Sequence, residues 1–220
     1  MTQTMTNKEL QHYWAFQEMC NMKTQYDKIF TYGRTGDHIC VFFTGQEVII
    51  AVDATDFDEG VEEWKSNFDF SPPINGFHRG FYTTAKYFYT EHIQTLVTYL
   101  RGVGAENIPI TIIGHSRGGG IAPILNYFLN RDGFSNIKTV TFCQPKSGTI
   151  KGIRAMKKIG VEVHRVEAKL DFVDNVPPII TFKPFCIWKQ YQTKHYQLPS
   201  VRGIDHAEVG RAIKELIDGS

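Results

Sequence analysis

Apolar and polar positions along this chain change period several times, and those changes mark out its elements. Leu10, Tyr13, Trp14 and Cys20 form a helical stripe behind Thr6-Asn7-Lys8-Glu9, which has the form of a capping box, so an N-terminal helix is expected to lie on the core. Two strand-like runs follow, His38 to Phe43 and Glu47 to Val52, and the short link Thr44-Gly45-Gln46 between them predicts a β-hairpin. The second run is apolar enough for an interior strand. From Asp53 to Phe70 acidic and aromatic residues mix, and Ser71-Pro72-Pro73 breaks the chain after them, which reads as a loop or a short helix.

Between Thr83 and Val103, apolar residues at Tyr89, Ile93, Leu96, Val97, Leu100 and Val103 step by three and four and meet Gly104, predicting an amphipathic helix with a C-terminal stop. Ile108 to Ile113 reads as a buried strand, with Pro109 tolerable only near its start. The glycine-rich turn after it opens a helix striped by Ile121, Leu125, Phe128 and Leu129. A strand at Ile137 to Cys143, a helix at Lys151 to Ile159, a strand at Val161 to Val166 and a last helix beginning near His206 complete the series. Strands alternating with helices predict a mostly parallel α/β sheet covered on both faces.

The chain has 220 residues, 42% of them hydrophobic, and a formal net charge of +1, with no internal repeat or low-complexity linker. This composition suits one globular domain spanning 1-220, and no bulk field recommends nucleic acid or an anionic membrane as partner; either would need a local patch. The apolar runs fall far short of the roughly 18 residues of a membrane-spanning helix. The N-terminus lacks the basic and apolar regions of a secretory signal, so a cytoplasmic address is expected. Cys20, Cys40, Cys143 and Cys186 are scattered without a CxxC pair or Cys/His metal spacing, which fits reduced buried thiols and predicts no metal site.

The candidate chemistry lies at Gly114-His115-Ser116-Arg117-Gly118, a G-x-S-x-G sequence between an apolar strand and a helix. Its glycines allow a turn tight enough to present the Ser116 hydroxyl above the sheet, and the following helix N-terminus can face a developing oxyanion. The adjoining Gly118-Gly119-Gly120 lacks the lysine of a phosphate-binding loop and does not fit G-x-G-x-x-G, so no nucleotide cofactor is expected. A serine hydroxyl needs a histidine to take its proton and a carboxylate to orient that histidine.

The residues from about 38 onward resemble the lipase class 3 family of α/β-hydrolases. Gly114 to Gly119 is similar to that family's nucleophile elbow, and Phe77-His78-Arg79-Gly80-Phe81 to its V-H-x-G-F segment, with Phe77 in place of valine. Thr141-Phe142-Cys143-Gln144-Pro145-Lys146-Ser147-Gly148 resembles its T-F-G-x-P-R-x-G, departing at Cys143 and Lys146. Arg165 to Pro178 is similar to its R-V-x-x-x-x-D-x-V-P-x-x-P-P.

The resemblance implies Ser116 as nucleophile, Asp171 as orienting acid and His206 as general base, with Asp174 a rival acid and His195 a rival base. It implies an oxyanion hole formed by the backbone N–H groups of Arg117 and of Thr55, although Asp53 and Ala54 stand where the family has arginine and glycine. His12, His38, His78, His92 and His115 read as packing residues, and His164 as a wall residue in a strand. Arg117, where the family commonly has leucine, and Asp53 suggest a buried Asp53–Arg117 ion pair. Residues 56 to 70, with Trp64 and Phe68, fall where the family carries a lid. The implied function is hydrolysis of a carboxylic ester of an acyl lipid, a glyceride or a phospholipid, through an acyl-enzyme and without metal or organic cofactor. A soluble short-chain esterase and a non-catalytic lipid-binding protein on the same fold stand beside it.

Overall fold

The computed structural model describes residues 5–32, 37–53, 71–102, 107–167, 173, 180–182, 185–198 and 211–213. Among the described residues ten strands run in chain order: β1 (Lys28–Thr31), β2 (His38–Phe43), β3 (Val48–Asp53), β4 (Ile110–His115), β5 (Ile137–Phe142), β6 (Gly148–Thr149), β7 (Glu162–Glu167), β8 (Ile180–Phe182), β9 (Phe185–Lys189) and β10 (Lys194–Gln197). The helices are α1 (Asn7–Asn21), α2 (Arg79–Phe88), α3 (Gln94–Gly102), α4 (Ser116–Arg131) and α5 (Ile150–Ile159). Seven strands form the main sheet in the order β1-β2-β3-β4-β5-β7-β10, antiparallel as far as β3 and parallel from β3 onward. β6, β9 and β8 make a small antiparallel sheet beside it.

Alternation along the strands sends their side chains to two cores. Ile39, Val41, Ile50, Val52 and Ile112 face one side, packed with the buried residues of α2, α3 and α4. Cys40, Phe42, Ile49, Ala51, Ile113 and Phe142 face the other, where Leu10, Trp14 and Cys20 of α1 meet Ala212 and Ile213. Burying side chains of this size stabilises by roughly 1.5–3 kcal/mol each, which holds both helical layers on the sheet. The expected capping box starts α1: Thr6 Oγ1 accepts from the Glu9 N–H at 3.2 Å, and the Thr6 N–H donates to Glu9 at 2.8 Å.

The predicted hairpin, the interior strands and the mostly parallel sheet are present. The helix expected from Thr83 begins four residues earlier at Arg79, because Phe81 and Tyr82 extend its buried face, and residues Tyr89–Ile93 form a π-helical turn joining α2 to α3. β1 and β10 were not expected. Both are short sheet edges of half-exposed and exposed residues, paired to β2 and β7, and neither carries a long apolar run. Because β3, β4, β5 and β7 are parallel, their carboxyl ends share one edge, where ligands bind in open α/β sheets.

Candidate active site

At that edge β4 passes into α4 through Ser116, whose backbone is left-handed at φ 53°. A non-glycine residue held there costs on the order of 1–3 kcal/mol and persists only when its surroundings fix it. They do so by close backbone approach. A Cβ on Gly114 would stand 2.4 Å from the Gly118 carbonyl oxygen, and one on Gly118 would stand 2.2 Å from the Val52 carbonyl oxygen. Glycine at both positions lets the helix begin directly on the strand end and against β3.

The Ser116 side chain is wholly buried, and its Oγ has no hydrogen-bond partner among the described residues. α4 carries no acidic residue in its first turn and no side-chain cap. The N–H groups that open the helix, Arg117 among them, therefore lie under the serine with the positive end of the helix dipole. The arrangement suits attack by a serine oxygen and stabilisation of the anion that the attack creates.

The structure gives Arg117 a different counter-ion from the one expected. Its guanidinium pairs with Asp37, just before β2, and Arg117 Nη2 donates to Thr84 Oγ1 at 3.4 Å. Thr84 Oγ1 in turn donates to Asp37 Oδ2 at 3.4 Å, while Asp53 Oδ2 lies 3.4 Å from His38 Nε2. The side chains of Asp37 and Arg117 are only 2% and 12% exposed, so the pair ties the residue after the serine to α2 and to the start of β2. Sequence reasoning missed Asp37 because it stands 80 positions from Arg117.

After β5, Cys143 is also left-handed at φ 52°, and its N–H donates to the Val166 carbonyl at 2.9 Å. Gln144 is buried there: its Oε1 accepts from Thr141 Oγ1 at 2.9 Å and its Nε2 donates to Ser147 Oγ at 3.4 Å. This network braces the loop beside α4, since a Cβ on Gly119 would touch Gln144 Cα at 3.4 Å.

Of the expected site residues, Ser116 and Arg117 come together at the β4–α4 junction. Thr55, Asp171 and His206 lie outside the described residues, as do Asp174 and residues 56–70. Asp171 falls four residues beyond the carboxyl end of β7, between Glu167 and the buried Val173. The remaining histidines are occupied elsewhere. His78 lies 4.2 Å from the Phe81 ring and His115 lies edge-on to Trp14 at 5.4 Å, both buried. His195 of β10 pairs with Glu167 of β7, and it stands in the row Gly114–Thr141–Arg165–His195. Three inter-strand steps put it about 14 Å from Gly114, beyond hydrogen-bonding reach of a group at the end of β4.

His164 Nε2 donates to Glu162 Oε1 at 2.6 Å. Burial outweighs the Glu162 carboxylate and lowers the His164 pKa, keeping the imidazole neutral. For Glu162, burial alone would act upward, but the hydrogen bond from His164 and the nearby Lys194 and Lys138 overcome it and hold the carboxyl low. A neutral ring donating Nε2–H to a carboxylate accounts for both shifts.

The family model described as lipase (class 3) matches residues 41–181. A search of curated proteins finds no match. Among solved structures, lipase II from Rhizopus niveus is 18% identical, with 81% of this chain and 77% of that chain covered and a TM-score of 0.68. The Rhizomucor miehei triacylglyceride lipase is 16% identical over 90% of this chain and 83% of that one, with a TM-score of 0.71. The lipase from Rhizopus microsporus var. chinensis is 20% identical over 78% and 69%, with a TM-score of 0.65. The shared architecture is the α/β-hydrolase fold.

Proposed function

The chain belongs to the class 3 lipase family of carboxylic ester hydrolases, and from that premise we propose that it cleaves the ester bonds of an acyl glycerolipid through an acyl-enzyme on Ser116. In this reading Ser116 Oγ attacks the ester carbonyl while His206 takes its proton, and Asp171 holds the imidazole in the required tautomer. The backbone N–H groups of Arg117 and Thr55 receive the oxyanion. The protonated His206 then gives its proton to the leaving alcohol, and a water activated by the same histidine releases the acid.

The observation that carries the proposal is the left-handed Ser116 on a strand-to-helix turn that Gly114 and Gly118 alone allow, with its buried Oγ beside the uncapped start of α4. The ion pair with Asp37 keeps the Arg117 side chain away from the reaction, so that residue acts through its backbone N–H. The test is release of p-nitrophenol from butyrate and palmitate esters by wild type and Ser116→Ala, with and without lipid micelles. Turnover lost with the serine, and a palmitate preference that grows with micelles, is the expected result. Palmitate turnover that does not exceed butyrate would instead indicate a short-chain esterase, and serine-independent turnover would overturn the mechanism.

A further inference from the structure

Sequence spacing offers no metal site, yet the fold gathers a set of candidate ligands. His38 and Cys40 are two apart on β2 and so share a face, the face that α1 covers. Asp53 stands in register with His38 on β3, and Ala51 with Cys40. Cys20, on the buried side of the last turn of α1, lies over them, its Sγ donating to the Ala51 carbonyl at 3.3 Å. The donor atoms of Cys20, His38 and Cys40 all fall within 4.8 Å of one another, and all three residues are buried. We propose that Cys20, His38 and Cys40, with Asp53 as fourth donor, bind one zinc ion that pins the end of α1 to the β2–β3 hairpin.

The geometry is close to what the ion requires. His38 Nε2 and Asp53 Oδ2 are 3.4 Å apart, and two nitrogen or oxygen ligands bonded at about 2.0–2.1 Å to a tetrahedral zinc stand about 3.3 Å apart. Two sulfurs, an imidazole and a carboxylate select a borderline-soft metal over the oxygen-seeking magnesium and calcium.

The proton balance also fits. Cysteine ligates zinc as the thiolate. Zinc displaces the two thiol protons to solvent, a dication for two protons, and the net charge of the donor set is unchanged. Little is lost in exchange. The sulfur contacts are weak, with Cys40 Sγ 4.0 Å from the Cys20 carbonyl. That carbonyl gives up its 3.0 Å bond to His38 Nε2 and keeps the Lys23 N–H at 2.9 Å, and the neutral ring carries its proton on Nδ1.

The experiment uses the untagged full chain, stripped of metal and titrated with cobalt(II) and then zinc. Wild type should develop the thiolate-to-cobalt charge-transfer band and visible bands of a tetrahedral site, lose them to one equivalent of zinc, and melt several degrees higher with zinc bound. Cys143→Ser, a buried thiol elsewhere, should keep the bands; Cys20→Ser should abolish them and Asp53→Asn should shift them. Should Cys20→Ser fail to fold, His38→Gln gives the same reading. Folded wild type that shows no thiolate band in excess cobalt would overturn the proposal. So would a band that survives Cys20→Ser, or a chain that takes up no metal and has lost two hydrogens by mass to a Cys20–Cys40 disulfide.

Discussion

Two structures stand at the same edge of the sheet and are built in opposite ways. The turn after β4 comes from five consecutive residues, is strained at Ser116, and tolerates no Cβ at Gly114 or Gly118. The corner where α1 meets the β2–β3 hairpin draws Cys20, His38, Cys40 and Asp53 from three elements and needs only strand register and a packed helix. Val52 joins them: its carbonyl accepts from Gln17 of α1 at 3.2 Å and faces Gly118 across the elbow. A site contiguous in sequence stores its geometry in backbone conformation, whereas an assembled one stores it in topology. Each therefore breaks under different changes.

The largest effect should come at the elbow. Ser116→Ala removes the proposed nucleophile, and kcat should fall by about 10⁴-fold or more while the melting curve is kept. Removing one member of the buried ion pair strikes the elbow from outside its own segment. Asp37→Ala leaves Arg117 uncompensated and should cost about 3–5 kcal/mol in denaturant unfolding, much of it recovered in the Asp37→Ala, Arg117→Leu double variant. Equal losses in the single and double variants would mean that the pair does not brace the turn.

Glycines separate strain from mere flexibility. Gly118→Ala drives a Cβ into the Val52 carbonyl and should cost about 1–3 kcal/mol or more, whereas Gly102→Ala, with nothing within 4 Å, should stay within about 0.5 kcal/mol of wild type. The α1 side is more forgiving. Thr6→Ala deletes the capping box and should lower stability by about 1 kcal/mol, loosening the helix that carries Cys20.

The smallest effect is that of pH. His164 has a pKa below the ordinary 6.5 because it is buried, so the unfolded chain takes up the proton first. Its contribution is complete above pH 6.5 and declines below it, and Glu162, held below 4.5, adds a second loss at more acid pH. A Tm that drops on acidification through pH 6, with a smaller drop in His164→Gln, checks the sign.

What the sequence made legible follows the same division. The elbow, the hairpin, the capping box and the interior strands each declare themselves within a window of a few residues, since glycine spacing and apolar period are local signals. Asp37 as partner of Arg117, and Cys20 beside Cys40, are products of tertiary register and leave no local pattern; the expected Asp53–Arg117 pair failed for that reason. β10 escaped notice because its residues Lys194-His195-Tyr196-Gln197 are mostly polar and form no apolar run, and it joins the sheet by pairing with β7. Thr55, Asp171 and His206 rest on motif order, and a double variant of each with Ser116 measures whether they act with it as a unit.

The central claim is that Ser116 is the nucleophile, and covalent labelling reads it most directly. Wild type and Ser116→Ala are treated with a fluorophosphonate, and the adduct is located by mass spectrometry of intact chain and peptides. One stoichiometric adduct on Ser116, absent from the variant, is the predicted result. An unlabelled wild type that still turns over ester, or an adduct of equal yield on another residue in the variant, would contradict it.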